Sequence, residues 1–360
     1  SRAFLSDRTG IEEYAFELVK NLREEFRKKE VVLYLRRGGR EKLEAEMSLP
    51  EKWRAKEINF KYFWTQAGMA WEFLTDPPDV LFITAHTVPW IHPKNTVVTV
   101  HGLEYEHCPE SYSLYSRLFH RFFIKKSCIW ARKVIAVSQN TKKDLAEQYD
   151  VLKEKTKVVY NGFHSPAGKS KEKKQAKNPA GNSSYFLYIG RLEKRKNIEG
   201  MIKAFEIAKE KHGYDGKLVL AGKPGYGCQD IEKAIVGSSF GNDIAELGYI
   251  EEAQKWKLIK EADVFLFPSF CEGFGIPILE AQSFSTPVIT SNFGPMDEVA
   301  ANKDILVNPR RPEEIAGLAI KLSRDKKFRK KAVEKGLKNV EKYSWEKCAR
   351  ETGRVIMESV

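Results

Sequence analysis

Pro268-Ser-Phe-Cys271-Glu272-Gly273-Phe274-Gly275-Ile276-Pro277-Ile-Leu-Glu280-Ala281 is the stretch that decides the fold. It follows the apolar run Val264–Phe267, which reads as a buried strand, and it enters a helical stretch over Ile276–Phe284. Gly273 and Gly275 let backbone N–H groups come close to a ligand. Pro277 suits the first helical position, where no N–H is needed. A strand, a Gly-rich turn and a helix N-terminus with open amides together make an anion site.

Glu272 and Glu280 lie eight residues apart in this stretch. Were it all helix, they would stand about 12 Å apart, at ~1.5 Å per residue. A double-displacement glycosidase needs its carboxylates about 5 Å apart. The pair therefore suits two parts of one long ligand, and a carboxylate accepting from two hydroxyls suits a sugar or ribose. The plain alternative is two ordinary glutamates on a surface helix.

Strand–helix alternation extends outward on both sides. Downstream and immediately upstream, strands are expected at Tyr185–Ile189, Leu218–Ala221 and Val288–Thr290, with helices at Ile198–Lys211 and Pro312–Ser323. Further upstream, Ile11, Tyr14, Ala15, Leu18, Val19, Leu22 and Phe26 recur at helical spacing and predict a helix over 11–28. Apolar runs at Val31–Leu35, Val80–Ile83, Val97–Val100 and Val134–Val137 read as buried parallel strands. The pattern predicts two doubly wound α/β halves, residues 1–164 and 185–343, facing a cleft. A last helix spans Trp345–Met357. Between the halves, 165–184 is rich in Gly, Ser, Pro, Asn and Lys and reads as a flexible basic loop. No aromatic residue interleaves with its lysines before Tyr185, which favours a solvated loop over a nucleic-acid tail.

Three more segments carry candidate chemistry. In Tyr188-Ile-Gly190-Arg191-Leu-Glu-Lys-Arg195-Lys196-Asn197 a strand ends at Gly190 and basic residues follow. Arg191 and Lys196 could clamp a diphosphate, the first as a fork and the second as a point charge. A basic surface turn is the alternative. Val98-Thr-Val-His101-Gly102 puts a histidine at a strand end, where it could hydrogen-bond a sugar, move a proton, or simply be structural. Arg8-Thr9-Gly10 offers a further Gly turn ahead of the first helix. Neither GxGxxG nor GxxxxGK[ST] occurs at the Gly190 segment, which speaks against a nicotinamide dehydrogenase and a P-loop ATPase.

Composition narrows the classes. The 360 residues are 42% hydrophobic and 31% charged, a globular profile rather than a disordered or collagen-like one. No apolar run approaches the roughly 18 residues of a membrane-spanning helix. Cys108, Cys128, Cys228, Cys271 and Cys348 are odd in number, scattered and without a CxxC. That argues against a metal site or disulfide framework and for a reducing cytoplasm. No signal peptide is expected, and the chain begins at Ser1 rather than Met. The net charge of +12 admits nucleic acid, anionic lipid or phosphorylated ligands as partners, or a plain lysine-rich surface. A nucleic-acid-binding protein would show a reading helix, zinc spacing or RNP motif, and none is present.

Taken together these segments resemble glycosyltransferase family 4, whose members have the GT-B fold. The resemblance runs through Arg8-Thr9-Gly10, His101-Gly102, Ala136-Val-Ser138, Val159-Tyr-Asn161-Gly162, Gly190-Arg191 to Lys196-Asn197, Leu220-Ala-Gly222-Lys223, Glu272 to Glu280, and Tyr343-Ser-Trp345. The first half is most similar to bacterial mannosyltransferases that build surface polysaccharides. The resemblance implies a retaining, metal-independent hexosyltransferase. It would move a mannose-like sugar from a GDP- or UDP-linked donor to a glycan or lipid-linked acceptor, with no cofactor. A catalytically silent donor-binding partner of an assembly complex is the other implied reading. Arg191 and Lys196 would bind the donor diphosphate. Glu272 with the amides of Gly273, Phe274 and Gly275 would hold the transferred sugar, beside Ile276. Glu280 would take the ribose hydroxyls, His101 would meet the donor sugar, and Gly10 and Gly190 would line the donor site. It further implies that 344–360 crosses back to the first half.

The chain departs from the family pattern in places. The usual short strand before the first Gly turn is absent, Ser285 stands where Gly is usual, and Gly294-Pro-Met-Asp-Glu298 lacks the usual Pro-Glu pair. Finally, Leu114, Tyr115, Leu118, Phe119, Phe122 and Phe123 form a stripe beside Arg117, Arg121, Lys125 and Lys126. This would suit peripheral contact with an anionic membrane on its inner face. The expectation taken here is the ordinary one, aromatics in the core and basic residues in water.

Overall fold

The computed structural model describes residues 4, 5, 8, 10–164 and 184–360. The basic loop read at 165–184 lies, apart from Ser184, outside the described residues. The chain divides into two compact units. The first holds the residues up to Leu103, then Leu114–Gly162 and Tyr343–Val360, and the second holds Glu104–Ser113 and Phe163–Lys342.

In the first unit, β1 (Val31–Arg36) and β2 (Trp53–Ile58) form a parallel pair of their own. The strands β3 (Leu81–Ile83), β4 (Thr96–Val100), β5 (Lys133–Ala136) and β6 (Thr156–Val158) make a parallel sheet in sequence order. All five β4 residues are buried, as a strand covered on both faces requires. Tyr14, Leu18 and Leu22 of the helix Gly10–Glu25 pack with Trp345, Cys348 and Ala349 of the helix Trp345–Met357 and with Val97, Ile135 and Val159. The Ser344 hydroxyl caps that last helix by accepting from the Lys347 N–H at 3.1 Å.

The second unit adds β7 (Tyr185–Ile189), β8 (Lys217–Ala221), β9 (Ile244–Glu246), β10 (Val264–Phe267), β11 (Val288–Ser291) and β12 (Leu306–Val307). Their order is β12-β11-β10-β7-β8-β9, parallel throughout. This is the doubly wound order, and its direction reverses between β7 and β10. Phe186 and Leu187 of β7 face Val264 and Phe265 of β10 across that point. Ligands bind outside the carboxyl ends of strands at such a reversal. The loops leaving β7 and β10 are the Gly190 and Glu272 segments.

The structure corrects two expectations. Cys108 and Cys271 are joined as a disulfide, although they stand 163 residues apart. Spacing alone could not show it, because Glu104–Ser113 leaves the first half and packs in the second unit. Cys128, Cys228 and Cys348 remain as thiols. The stripe on the helix Leu114–Trp130 is not in the core: only Ile124, Ser127 and Cys128 of that helix are buried. Tyr115 is 80% exposed and Leu114 69%. Among the described residues no helix is long and apolar enough to cross a membrane.

Candidate active site

The two loops at the reversal are laced together. Phe270 N–H donates to the Arg195 carbonyl at 2.9 Å. Asn197 Nδ2 donates to the carbonyls of Pro268 at 3.0 Å and Pro309 at 2.7 Å. Asn197 also caps the helix Ile198–His212 from a left-handed conformation, φ 62°, which Asn tolerates better than most residues. The backbone is therefore fixed on both sides before any ligand arrives.

Within this frame Lys196 Nζ donates to Glu272 Oε1. Arg195 reaches Oε2 of the same carboxylate at 3.4 Å and the Cys271 carbonyl at 3.2 Å, while its Nε donates to Glu193 at 2.9 Å. Lys196 Nζ also lies 5.2 Å from the centre of the Phe267 ring. Burial pulls the Lys196 ammonium below the ordinary lysine value, against the opposing field of Glu272. Burial alone would raise the Glu272 carboxyl, but Lys196 and then Arg195 outweigh it and hold it below the usual carboxylate range. Lys196, Arg195, Glu193 and Glu272 together form a charge cluster at the strand ends.

The other sequence-expected residues of this unit take separate places. Arg191 is largely exposed and pairs with Glu193 at 3.3 Å, and its carbonyl accepts from the Tyr188 hydroxyl at 2.9 Å. Gly190, next to it, donates its N–H to Ala221 at 2.9 Å. Glu280 does not join Glu272: it lies on the helix Ile276–Ser283 and pairs with Lys255. Only that segment is helical, and the residues from Glu272 to Gly275 are not, so the two carboxylates have distinct surroundings. Gly275 caps the helix at φ 106°, a conformation L side chains rarely adopt. Phe274 is buried, Ile276 is the first helical residue, and Pro277 is the second rather than the first.

His101 and Gly10 belong to the first unit. His101 follows β4 and is buried, with Nε2 at 2.8 Å from the Thr84 carbonyl. Tyr14 stands edge-on to it at 4.5 Å between ring centres, and His86 does so at 5.3 Å. Burial lowers the His101 pKa to about 4. A neutral ring whose Nε2–H is pinned to a carbonyl offers Nδ1 as a hydrogen-bond acceptor. It carries no imidazolium proton to give at neutral pH. Gly10 opens the first helix with open space where a side chain would stand.

Sequence reasoning did not single out Arg195, Asn197, Glu104 or His86. Glu104 is half-buried; loss of solvent raises its carboxyl, and Arg195 opposes that. His86 has φ 51° and a buried Nδ1 without a partner among the described residues. Arg195 and Asn197 lie inside a quoted motif, but nothing in their spacing tells a lacing residue from a ligand-binding one.

Comparison with known proteins fits this geometry. Residues 8–165 match the family model described as Glycosyltransferase Family 4, and residues 169–339 match Glycosyl transferases group 1. The chain is 32% identical over 272 residues to an uncharacterized glycosyltransferase of Methanocaldococcus jannaschii, covering 72% of this chain and 68% of that protein. The chain belongs to glycosyltransferase family 4. This family 4 chain is also 26% identical over 263 residues to the O-antigen chain mannosyltransferase B of Escherichia coli, covering 72% of this chain and 69% of that one. Among solved structures, the Anabaena protein HepE in complex with UDP and glucose superposes with a TM-score of 0.70 at 16% identity, covering 98% and 97% of the two chains. The glycosyltransferase has the GT-B fold.

Proposed function

We propose that this glycosyltransferase is a retaining hexosyltransferase that needs no metal ion. It moves a mannose-like sugar from a nucleotide-sugar donor to a glycan or lipid-linked acceptor in polysaccharide or glycoconjugate synthesis. The observation that carries the reading is the Lys196–Glu272 contact at the sheet reversal, directly ahead of a helix N-terminus. In this reading Lys196 and Arg191 meet the donor diphosphate. Glu272 and the amides after it hold the sugar hydroxyls, and Glu280 holds the ribose. As the glycosidic bond breaks, negative charge grows on the departing phosphate. Preorganised cations and amide dipoles stabilise that charge. The acceptor hydroxyl attacks from the same face, and its proton passes to the departing phosphate oxygen. His101, neutral and fixed, accepts a hydrogen bond from the donor sugar.

The donor is GDP- or UDP-linked in this reading; mannosyltransferases are among the relatives, and the Anabaena structure holds UDP. The test is a panel of GDP-, UDP- and ADP-linked hexoses, scored first by thermal shift and then by hydrolysis without acceptor. One selective shift followed by hydrolysis supports the reading. A shift without hydrolysis or transfer would make the chain a silent donor-binding partner. Proton NMR of the product anomer decides retention.

A further inference from the structure

We propose that the helix Leu114–Trp130 docks this protein onto an anionic lipid surface. At about 100° per residue, Leu114, Leu118, Ile129, Phe122, Tyr115 and Phe119 fall within an arc of roughly 140° on that helix. All six are exposed. Lys125 and Lys126 fall inside the same arc, and Arg121 lies at its edge. The helix carries no Asp or Glu along its 17 residues. The carboxylate recorded near its lysines is Asp150, 4.0 Å from Lys125 Nζ. An apolar stripe with cations in and beside it is the pattern of a helix lying in a lipid headgroup layer.

A neighbouring loop adds exposed apolar residues beside the helix. Ser127 Oγ accepts from the Val88 N–H at 2.8 Å, and the His92 and Trp130 rings lie 5.9 Å apart. These contacts hold the 88–92 loop against the helix, and that loop exposes Trp90 and Ile91. Trp and Tyr favour the boundary between headgroups and acyl chains. Charge decides the occupant. A second copy of this face would set Arg121, Lys125 and Lys126 against their own kind, whereas anionic headgroups complement them. Docking here deepens the proposed function by placing the enzyme where a lipid-linked acceptor lies. It is measured without donor, so it stands or falls separately.

The experiment is flotation of the full chain with vesicles of phosphatidylcholine alone, or of equal parts phosphatidylcholine and phosphatidylglycerol. Binding is expected to the anionic vesicles, weaker to the neutral ones, and weakened by salt. The double substitution Leu118→Ser, Phe122→Ser should lower the apparent affinity about tenfold or more, and Lys125→Glu with Lys126→Glu should remove the preference for anionic lipid. Leu118 and Phe122 are exposed, so the serine variant should keep its melting temperature and its thermal shift with nucleoside diphosphate; the half-buried lysine pair, with Lys125 near Asp150, is read by lipid preference alone. Equal flotation by wild type and the serine variant would overturn the proposal. So would a dimer in sedimentation velocity that the serine variant dissolves, with no vesicle binding by either.

Discussion

Lys196 and Glu272 meet side chain to side chain from loops 76 residues apart, at the point where the second sheet reverses direction. The contact brings a cation and an anion to one spot before any donor is present. On the proposed function, a diphosphate entering there would compete with Glu272 for Lys196, and sugar hydroxyls would compete with Lys196 for Glu272, each releasing the partner that the other needs. Arg195 remains on Glu272 at 3.4 Å and keeps the carboxylate neutralised while Lys196 is engaged elsewhere.

Lys196→Ala should lower turnover by about 10²–10³, the effect of losing one preorganised charge stabiliser. Acceptor KM should change little, and Arg195 should keep Glu272 ionised and the unit folded. Steady-state kinetics checks this, and unchanged turnover would remove Lys196 from the diphosphate site.

Glu280→Ala should weaken donor binding by ~1.5–3 kcal/mol, the range of hydrogen bonds to a charged group. Because Glu280 pairs with Lys255, the companion Lys255→Ala should leave donor affinity unchanged or tighter. Calorimetric titration with the matching nucleoside diphosphate separates the two. Equal weakening in both variants would mean that the ion pair, not the carboxylate, is what the donor needs.

Much of this was legible in the residues. Eight of the twelve strands among the described residues announce themselves as short β-branched or aromatic runs, including β4, β7 and β10, which set the site. The missed ones are weak signals for physical reasons. Trp53-Arg-Ala-Lys-Glu-Ile58 in β2 is half charged, and β6, β9 and β12 are only two or three residues long. The pairing of Lys196 with Glu272 is a tertiary event, set by strand order rather than by anything local. So is the disulfide, which needs Glu104–Ser113 to pack in the second unit. The aromatic helix departs from the expected core position because periodicity shows that a face is apolar but not what covers it. Ser285, at the position where the resemblance leads to an expected Gly, adopts φ 63°, the left-handed region that Gly favours.

Thiol counting should give a graded result. Cys128 and Cys348 are buried, and burial raises both thiols to about 12. Cys228 is the more accessible thiol. The native protein should therefore show one fast-reacting thiol, the unfolded unreduced protein three, and the unfolded reduced protein five. Five thiols without reductant would show that Cys108 and Cys271 are not joined.

Two glycine substitutions should move stability in opposite directions. A side chain at Gly222 would place its Cβ 1.8 Å from the Gly190 carbonyl oxygen, which is backbone and cannot step aside cheaply. Gly222→Ala should destabilise the chain by about 3 kcal/mol, the upper end of overpacking effects. By shifting the Gly190–Arg191 turn it should also weaken diphosphate binding. Gly317, inside the helix Pro312–Arg324, has nothing within 4 Å of that position. There alanine should stabilise by roughly 0.5–1 kcal/mol through reduced chain entropy. Chemical denaturation of both variants checks the pair, and a stable Gly222→Ala would mean that the two turns are not packed as described.

The pH dependence of stability follows from His101. Its folded pKa is about 4, and an unfolded histidine titrates near 6.5. Between those values the unfolded chain takes up a proton that the folded one refuses. Stability from this ring is therefore fully present above pH ~6.5 and is lost as the pH falls toward 4. The full difference is on the order of 3 kcal/mol, at 1.36 kcal/mol per unit. His86 is lowered in the same direction by burial first and by His101 next, so it adds to the slope. His101→Gln, which keeps a hydrogen-bonding side chain but cannot take up a proton in this range, should flatten part of that slope while leaving stability near pH 8 little changed. Turnover, by contrast, should show no limb near pH 6.5 from this residue, because the folded ring is already neutral there. A rate limb at that pH that disappears in His101→Gln would show that the ring moves a proton rather than accepting a hydrogen bond.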